Sequence, residues 1–162
     1  MTDRNAMETA PILKITDLRK SFGSIHALRG VDFELRRGEI HALAGENGAG
    51  KSTLMNIIDG ILKPDSGEIL FDGQPVEIAS PAMAQKLGVG FVHQEIALCP
   101  DVTVAENIFM AATNMSKRFL MDYAALERKA GEILRQLGDV NPAALVRDLP
   151  ISQQQLVEIA KA

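Results

Sequence analysis

Residues 45–52 read Gly-Glu-Asn-Gly-Ala-Gly-Lys-Ser, which fits the pattern G-x-x-x-x-G-K-[ST] at every fixed position. The apolar run Ile40–Ala44 precedes this loop and has the composition of a strand buried on both faces. The segment Lys51–Asp59 follows it with apolar residues at helical spacing. A strand, a glycine-rich loop and a helix in this order predict a phosphate-binding loop, and the same context disfavours a chance match.

The residue types of the loop suit the phosphates of ATP together with Mg²⁺. Its glycines permit positive φ and a close approach of the main chain, so that backbone N–H groups form a nest for phosphate oxygens. Lys51 supplies a mobile positive charge to the β- and γ-phosphates. The Ser52 hydroxyl suits Mg²⁺, which prefers oxygen ligands, and Thr53 can reach the α-phosphate. The residues of this stretch predicted to bind nucleotide are Gly45, Asn47, Gly48, Ala49, Gly50, Lys51, Ser52 and Thr53.

Composition limits the class of protein. The 162 residues are 46% hydrophobic and 23% charged, as in ordinary globular domains. A net charge of -4 argues against nucleic acid as a partner, because binding its phosphates needs a basic surface. Cys99 is the single cysteine, so no internal disulfide can form, which favours a reducing, cytoplasmic setting. No apolar run approaches the roughly 18 residues of a membrane span, and we expect any link to a membrane to run through a partner protein.

The other elements divide the chain into an α/β part and a helical part. Further strands are predicted over residues 12–18, 24–28, 31–35 and 89–92, and a hairpin with an Asp72-Gly73 turn over residues 68–78. Lys63–Gly67 is a turn signal, and Ser80-Pro81 opens a short helix that ends before Gly88. Later helices are predicted to begin at the capping box Thr103–Glu106, at Asp122 and at Ser152.

This pattern predicts three segments. Residues 1–11 are expected to be a disordered lead-in without a signal-peptide core. Residues 12–99 are expected to form an incomplete P-loop α/β core with a β-subdomain. Residues 100–162 are expected to form a helical subdomain.

Several stretches, in order along the chain, resemble the sugar-import branch of the ABC ATPases. They are residues 37–55 around the loop, Pro64–Ile69, Val92–Glu95, Val102–Phe109 and Gln153–Ala162. The likeness covers nearly all of the chain from Ile12 onward and is far more specific than the phosphate loop alone. It implies an α/β fold of the ABC-type P-loop NTPases, with an N-terminal antiparallel β-subdomain and a helical subdomain.

The resemblance implies roles for two further residues. Phe22 resembles the aromatic residue that stacks on adenine; the alternative is a core phenylalanine of the β-subdomain. Gln94 resembles the glutamine that senses Mg²⁺ and the attacking water, in a loop that contacts the membrane subunit. Lys51 and Gln94 would then be catalytic, and Ser52 and Gln94 would lie at the metal.

The chain departs from the family at two places. The family's signature reads Leu-Ser-x-Gly-Gln, whereas Leu149–Gln153 has proline at the serine position and serine at the glycine position. Pro150 has neither a hydroxyl nor an N–H group, so we expect a degenerate signature and one weak or silent ATP site. Ser152 is expected to cap the last helix. Because no Walker B acids follow, the chain is expected to be the N-terminal fragment of a first nucleotide-binding domain, nearly inactive alone.

As a family member, the protein would bind and hydrolyse ATP to drive carbohydrate import. The resemblance implies membrane permease subunits, a second nucleotide-binding domain in the same chain or in a dimer, and indirectly a periplasmic sugar-binding protein. It implies a peripheral location on the cytoplasmic face of the inner membrane. The alternatives are a soluble, non-transport ABC ATPase and a nucleotide-binding fragment without catalysis. His93–Glu95 and the Gln153–Gln155 run favour transport; the sugar is not identified.

Overall fold

The computed structural model describes residues 10–92, 96–113 and 122–162. The chain forms two compact units, Met1–Gly90 and Phe91–Ala162. Most of the predicted lead-in, residues 1–9, lies outside the described residues, and the first strand begins at Pro11. None of the helices in the described ranges is long and apolar enough to cross a membrane.

The first unit is built on an antiparallel sheet. Its strands are β1 (Pro11–Phe22), β2 (Ile25–Arg36), β3 (Ser66–Phe71) and β4 (Gln74–Pro75), in the spatial order β2-β1-β3-β4. The short strands predicted over 24–28 and 31–35 are joined into the single strand β2. The alternation of apolar residues slips between Ile15 and Leu18 because the β1–β2 register shifts there. Such bulges let one long, twisted hairpin keep its apolar side chains on the core face.

The turn between β3 and β4 confirms the Asp-Gly prediction. Asp72 has φ of 50° and Gly73 has φ of 74°, so both central residues adopt the left-handed conformation that a type I′ turn requires. Strand β4 is two residues long and is shorter than the predicted segment 74–78.

Two helices complete the first unit. They are α1 (Lys51–Ile58), which confirms the helix predicted after the loop, and α2 (Pro81–Lys86), which Ser80 caps by accepting a hydrogen bond from the Met83 N–H. Apolar side chains of the sheet, of both helices and of Ile78 form one buried core: Leu13, Ile15, Leu18, Leu28, Leu54, Ile57, Ile58, Ile69, Ile78 and Ala84. This core holds the start of α1 against the sheet.

Two predicted strands are wrong. Residues 40–44 and 89–92 have no strand structure, and Ile40 is 100% exposed. A strand needs a neighbour to pair its N–H and C=O groups, and no strand in the described parts of the chain pairs with either segment. The apolar runs were recognisable from the sequence, but periodicity gives no information about the partner.

The second unit is helical. Its helices are α3 (Val104–Thr113), α4 (Tyr123–Leu134) and α5 (Ile151–Lys161), with a short 3₁₀ turn over Val146–Asp148. Their core consists of Val104, Ala105, Ile108, Ala130, Leu134, Val140, Val146 and Val157.

Two of the three predicted helix starts in this unit are confirmed. The Thr103 Oγ1 accepts from the Glu106 N–H at 3.2 Å, and Glu106 Oε2 accepts from the Thr103 N–H at 2.8 Å, which is the reciprocal geometry of a capping box. Asp122 Oδ1 accepts from the Ala125 N–H at 3.0 Å. The third start is wrong, because α5 begins at Ile151 with Pro150 at its N-cap and Ser152 lies within the first turn.

A buried amide ties the loop before α3 to that helix. Asn107 is 1% exposed, and its Oδ1 accepts from the Cys99 N–H at 2.8 Å. Its Nδ2 donates to the carbonyl oxygens of Cys99 at 3.0 Å and Thr103 at 3.1 Å. At the other end of the unit, Lys161 Nζ donates to the Ala97 carbonyl at 2.7 Å. These contacts fix the path of residues 97–99 on the helical unit.

Candidate nucleotide-binding site

The glycine-rich loop has the backbone of an anion nest. Gly48 and Gly50 both have φ of 87°, and Gly50 is the left-handed N-cap residue of α1. Between them the Ala49 N–H donates to the Glu46 carbonyl at 3.1 Å, which closes the turn. A side chain at either glycine position would strain this path, because L-residues seldom adopt such φ values.

Packing against β2 holds the end of the loop in place. A Cβ on Gly50 would lie 2.6 Å from the Ala27 carbonyl oxygen and 2.8 Å from Leu28 Cδ2. The backbone therefore approaches the strand at a distance that only glycine allows. By contrast, the space around Gly48 is open, with no atom within 4 Å of an added Cβ. The loop is thus anchored at its helix end and accessible at its middle.

Lys51 folds back over the loop. Its Nζ donates to the Gly45 carbonyl at 2.6 Å and to the Glu46 carbonyl at 2.7 Å. The ammonium therefore lies above the nest, where the phosphate charge of a ligand would need it. The two carbonyls orient the side chain across the loop, and phosphate oxygens would be stronger, charged acceptors for the same ammonium.

The first turn of α1 adds further donors. The N–H groups of Lys51, Ser52 and Thr53 belong to the start of the helix, where no intrahelical acceptor exists. No acidic residue lies in this turn, and the helix dipole adds partial positive charge. The Ser52 side chain is exposed, so its hydroxyl is free to meet a hard cation beside the phosphates. The nest, the ammonium and the hydroxyl fit a magnesium-bound polyphosphate.

Phe22 lies at the exposed end of β1, immediately before the turn at Gly23. The residue is 46% exposed, so it is not the core phenylalanine that was the alternative prediction. Lys20 Nζ lies over the ring at 5.7 Å from its centroid, within cation–π range. Stacking on adenine stays a prediction.

Asp65 plays a part in this region that was not predicted from the sequence, where Lys63–Gly67 indicates only a turn. The Asp65 carboxylate accepts from Lys20 Nζ at 2.9 Å and from the Ser21 N–H at 2.7 Å. The bond from Lys20, and then that from Ser21, lowers the pKa of Asp65 below its ordinary value of 3.8. No signal within the turn itself could have revealed these partners, since they lie on β1.

Two sequence-based predictions concern other parts of the chain. Gln94 lies outside the described residues. Pro150 and Ser152 lie at the start of α5, where the Pro150 carbonyl accepts from the N–H groups of Gln153 at 2.9 Å and Gln154 at 3.1 Å. Pro150 makes no side-chain cap, and Ser152 is exposed.

Comparison with known proteins agrees with the resemblance found in the sequence. The family described as ABC transporter matches residues 28–162. The chain is 76% identical over 151 residues to the ribose import ATP-binding protein RbsA of Ruegeria sp. (strain TM1040), covering 93% of this chain and 30% of that protein. It is 62% identical over 151 residues to ribose import ATP-binding protein RbsA 2 of Agrobacterium fabrum, with the same coverage. The chain therefore spans about a third of the length of these relatives.

Solved structures confirm the predicted fold. CbiO1 from Clostridium perfringens, part of the ABC transporter complex CbiONQ, superposes with a TM-score of 0.76 at 31% identity, over 94% of this chain and 61% of that one. The ADP conformation of another ATP-binding cassette of an ABC transporter gives a TM-score of 0.77 at 28% identity, over 94% of this chain and 64% of that one.

Proposed function

Because the chain belongs to the ABC transporter family, we propose that it forms part of the ATP-binding and ATP-hydrolysing component of a carbohydrate importer. The observation that carries the proposal is the loop at residues 45–52, with its left-handed glycines and with Lys51 folded over the Gly45 and Glu46 carbonyls. A backbone nest with a mobile ammonium is suited to the phosphate groups of a nucleotide.

Within this site the chain's own residues bind and orient the substrate. The N–H groups of Gly48 and of Gly50 to Thr53 hold phosphate oxygens, while the Ala49 N–H keeps the turn closed through the Glu46 carbonyl. Lys51 neutralises charge on the β- and γ-phosphates. Ser52 would hold Mg²⁺, which screens phosphate charge when bound. Gln94 is proposed to orient the attacking water, and Phe22 to stack on the adenine.

The carbohydrate specificity is proposed from relatives. Proteins named for ribose import are 62–76% identical to this chain, and one named for ribose, galactose and methyl galactoside import is 47% identical. We therefore assign the class of pentoses and related sugars, with ribose as the first candidate. The proposed partners are permease subunits, a second nucleotide-binding domain and, indirectly, a periplasmic sugar-binding protein. This assigns the protein to the cytoplasmic face of the membrane as a peripheral subunit.

The start of α5 supports an unequal pair of ATP sites. A family signature offers a serine hydroxyl and backbone N–H groups to the nucleotide of the opposite domain, whereas Pro150 offers neither. We propose that the site completed by this segment is weak, and that the phosphate loop of this chain serves the competent site.

Calorimetric titration of the chain with MgATP tests the phosphate site. Wild type is expected to bind, and Lys51→Ala to weaken binding by about tenfold or more, because charge-assisted hydrogen bonds are lost. Lys14→Ala is the matched control, since Lys14 is a partly exposed lysine on β1 paired with Glu34. A folded wild-type chain that binds no ATP at about 1 mM would overturn the proposal.

Uptake of labelled ribose by cells tests the transport proposal in the whole protein. Lys51→Ala should abolish ATP-driven uptake while the protein remains at the membrane. Unchanged uptake would contradict the assignment of this loop to the competent site. Normal ATP turnover without uptake of ribose, galactose or xylose would favour the soluble, non-transport alternative.

A further inference from the structure

Asp65 connects the turn before β3 to the last residues of β1. Its backbone N–H donates to the Arg19 carbonyl at 2.9 Å. One carboxylate oxygen accepts from Lys20 Nζ at 2.9 Å and the other accepts from the Ser21 N–H at 2.7 Å. A single residue therefore holds three consecutive positions of the strand that ends at Phe22.

The sheet pairs this end of β1 on one side only. Strand β2 remains paired with β1 as far as Phe22, with a register shift between Lys20 and Ser21, whereas the paired positions of β1 and β3 end at Arg19 and Ser66. The carboxylate of Asp65 takes the Ser21 N–H beyond the point where β3 pairs. The bond to Asp65 therefore restrains β1 on its β3 side for two residues beyond Arg19, as far as Ser21, which precedes Phe22.

Lys20 transmits this restraint to the ring. Its side chain is only 17% exposed, and its ammonium pairs with the Asp65 carboxylate and lies over the Phe22 ring. The Nζ atom is 5.7 Å from the ring centroid. A cation held over one face of an aromatic ring leaves only the opposite face for a base, and it fixes the plane on which that base would lie.

We infer that Asp65 is a positioning residue for base recognition, orienting the Phe22 ring through Lys20 and Ser21 so that one face is presented to the adenine of a nucleotide. The inference rests on the proposed function, because it requires a nucleotide on the phosphate loop. It assigns to the Asp65 turn a part in selecting the base, separate from the part that Lys51 and Ser52 have in binding phosphates.

The test separates base binding from phosphate binding. Dissociation constants of the chain are measured for MgATP and for magnesium tripolyphosphate. The ratio used below is the tripolyphosphate constant divided by the MgATP constant, and it reports the affinity that the nucleoside adds. Phe22→Ala is expected to lower the ratio about tenfold, in the range for a base stacked on an aromatic ring. Asp65→Ala is expected to lower it about threefold to fivefold, with the tripolyphosphate constant changed less than about twofold. Asp65→Asn keeps an acceptor for Ser21 and should give a smaller loss.

A double variant and a control decide whether Asp65 acts through Phe22. Adding Asp65→Ala to Phe22→Ala should cause no further loss in the ratio, since the positioned ring is already gone. Glu34→Gln breaks the Lys14–Glu34 pair at the other end of the same hairpin and should leave the ratio unchanged. Circular dichroism verifies that each variant folds. If Asp65→Ala does not fold, the ratio is measured for Lys20→Met instead, because that variant keeps the bond from the Ser21 N–H to Asp65.

Two results would overturn the inference while leaving the proposed function intact. One is a ratio unaffected by Asp65→Ala, or by Lys20→Met where that variant decides. The other is a loss that adds fully to that of Phe22→Ala, which would mean that the two residues act independently. Failure of the wild-type chain to bind either probe would instead refute the proposed function.

Discussion

Replacing Asn107 by alanine removes three hydrogen bonds from the helical unit. The amide joins α3 to Cys99 through both the N–H and the carbonyl, and to the Thr103 carbonyl, at 2.8–3.1 Å. At about 1 kcal/mol net for each bond, the loss is about 3 kcal/mol. Alanine offsets about 0.5 kcal/mol of this through its higher helix propensity. The expected destabilisation is therefore about 2.5 kcal/mol, a large part of the stability of a small domain.

Chemical denaturation followed by far-ultraviolet circular dichroism measures this loss, and amide hydrogen exchange locates it. The Cys99 amide should lose protection in Asn107→Ala, because its acceptor is gone. Asn141→Ala is the control: Asn141 is exposed and makes one side-chain bond, to the Ala143 N–H at 3.0 Å, so the loss should be about 0.5–1 kcal/mol. A destabilisation of Asn107→Ala no greater than that of the control would refute the reasoning.

Three further predictions concern the loop, a helix start and pH. Gly50→Ala should cost more stability than Gly73→Ala. Both glycines have positive φ, which costs an alanine about 1–2 kcal/mol, but only at Gly50 would the added Cβ lie 2.6 Å from a backbone atom. Chemical denaturation of both variants compares the losses, and equal losses would contradict the packing argument. Thr103→Ala should cost about 1 kcal/mol by the same assay, because the capping box is lost; an unchanged midpoint would count against it. The pKa of Asp65 is lowered, so its ion pair stabilises the fold at pH values above the ordinary pKa of 3.8, and this stabilisation is lost as pH falls through the folded pKa. Asp65→Asn should therefore reduce the loss of stability at acidic pH. An unchanged dependence of stability on acidic pH would refute this.

Local chemistry made part of the fold predictable. The helix after the loop, the Asp72-Gly73 turn and the capping box at Thr103 each depend on residues within a few positions of one another. The strands expected at residues 40–44 and 89–92 failed because a strand depends on a distant partner that periodicity cannot identify. The cap expected at Ser152 failed by two positions, since the extended backbone before α5 ends at Pro150.

The nucleotide-binding site was likewise predictable only where it depends on residues close together in the sequence. The pattern at residues 45–52 specified the loop because its glycines and Lys51 act on neighbours five or six positions away. The partners of Asp65 and Asn107 were not predictable, because each depends on the sheet register or on the path of a loop over a helix. Gln94 and the roles implied for Phe22 and Pro150 stay predictions.

The ammonium of Lys51 is also a brace within the loop. It bridges the carbonyls of Gly45 and Glu46, at 2.6 and 2.7 Å, and so resists the opening of the turn. A loop restrained by its own side chain loses less conformational entropy when it binds a phosphate. A variant such as Lys51→Ala therefore removes both a ligand contact and the internal tie of the loop. Part of the affinity lost in this variant will come from a less ordered loop. Hydrogen exchange measured without nucleotide should then be faster at the amides of residues 46–50.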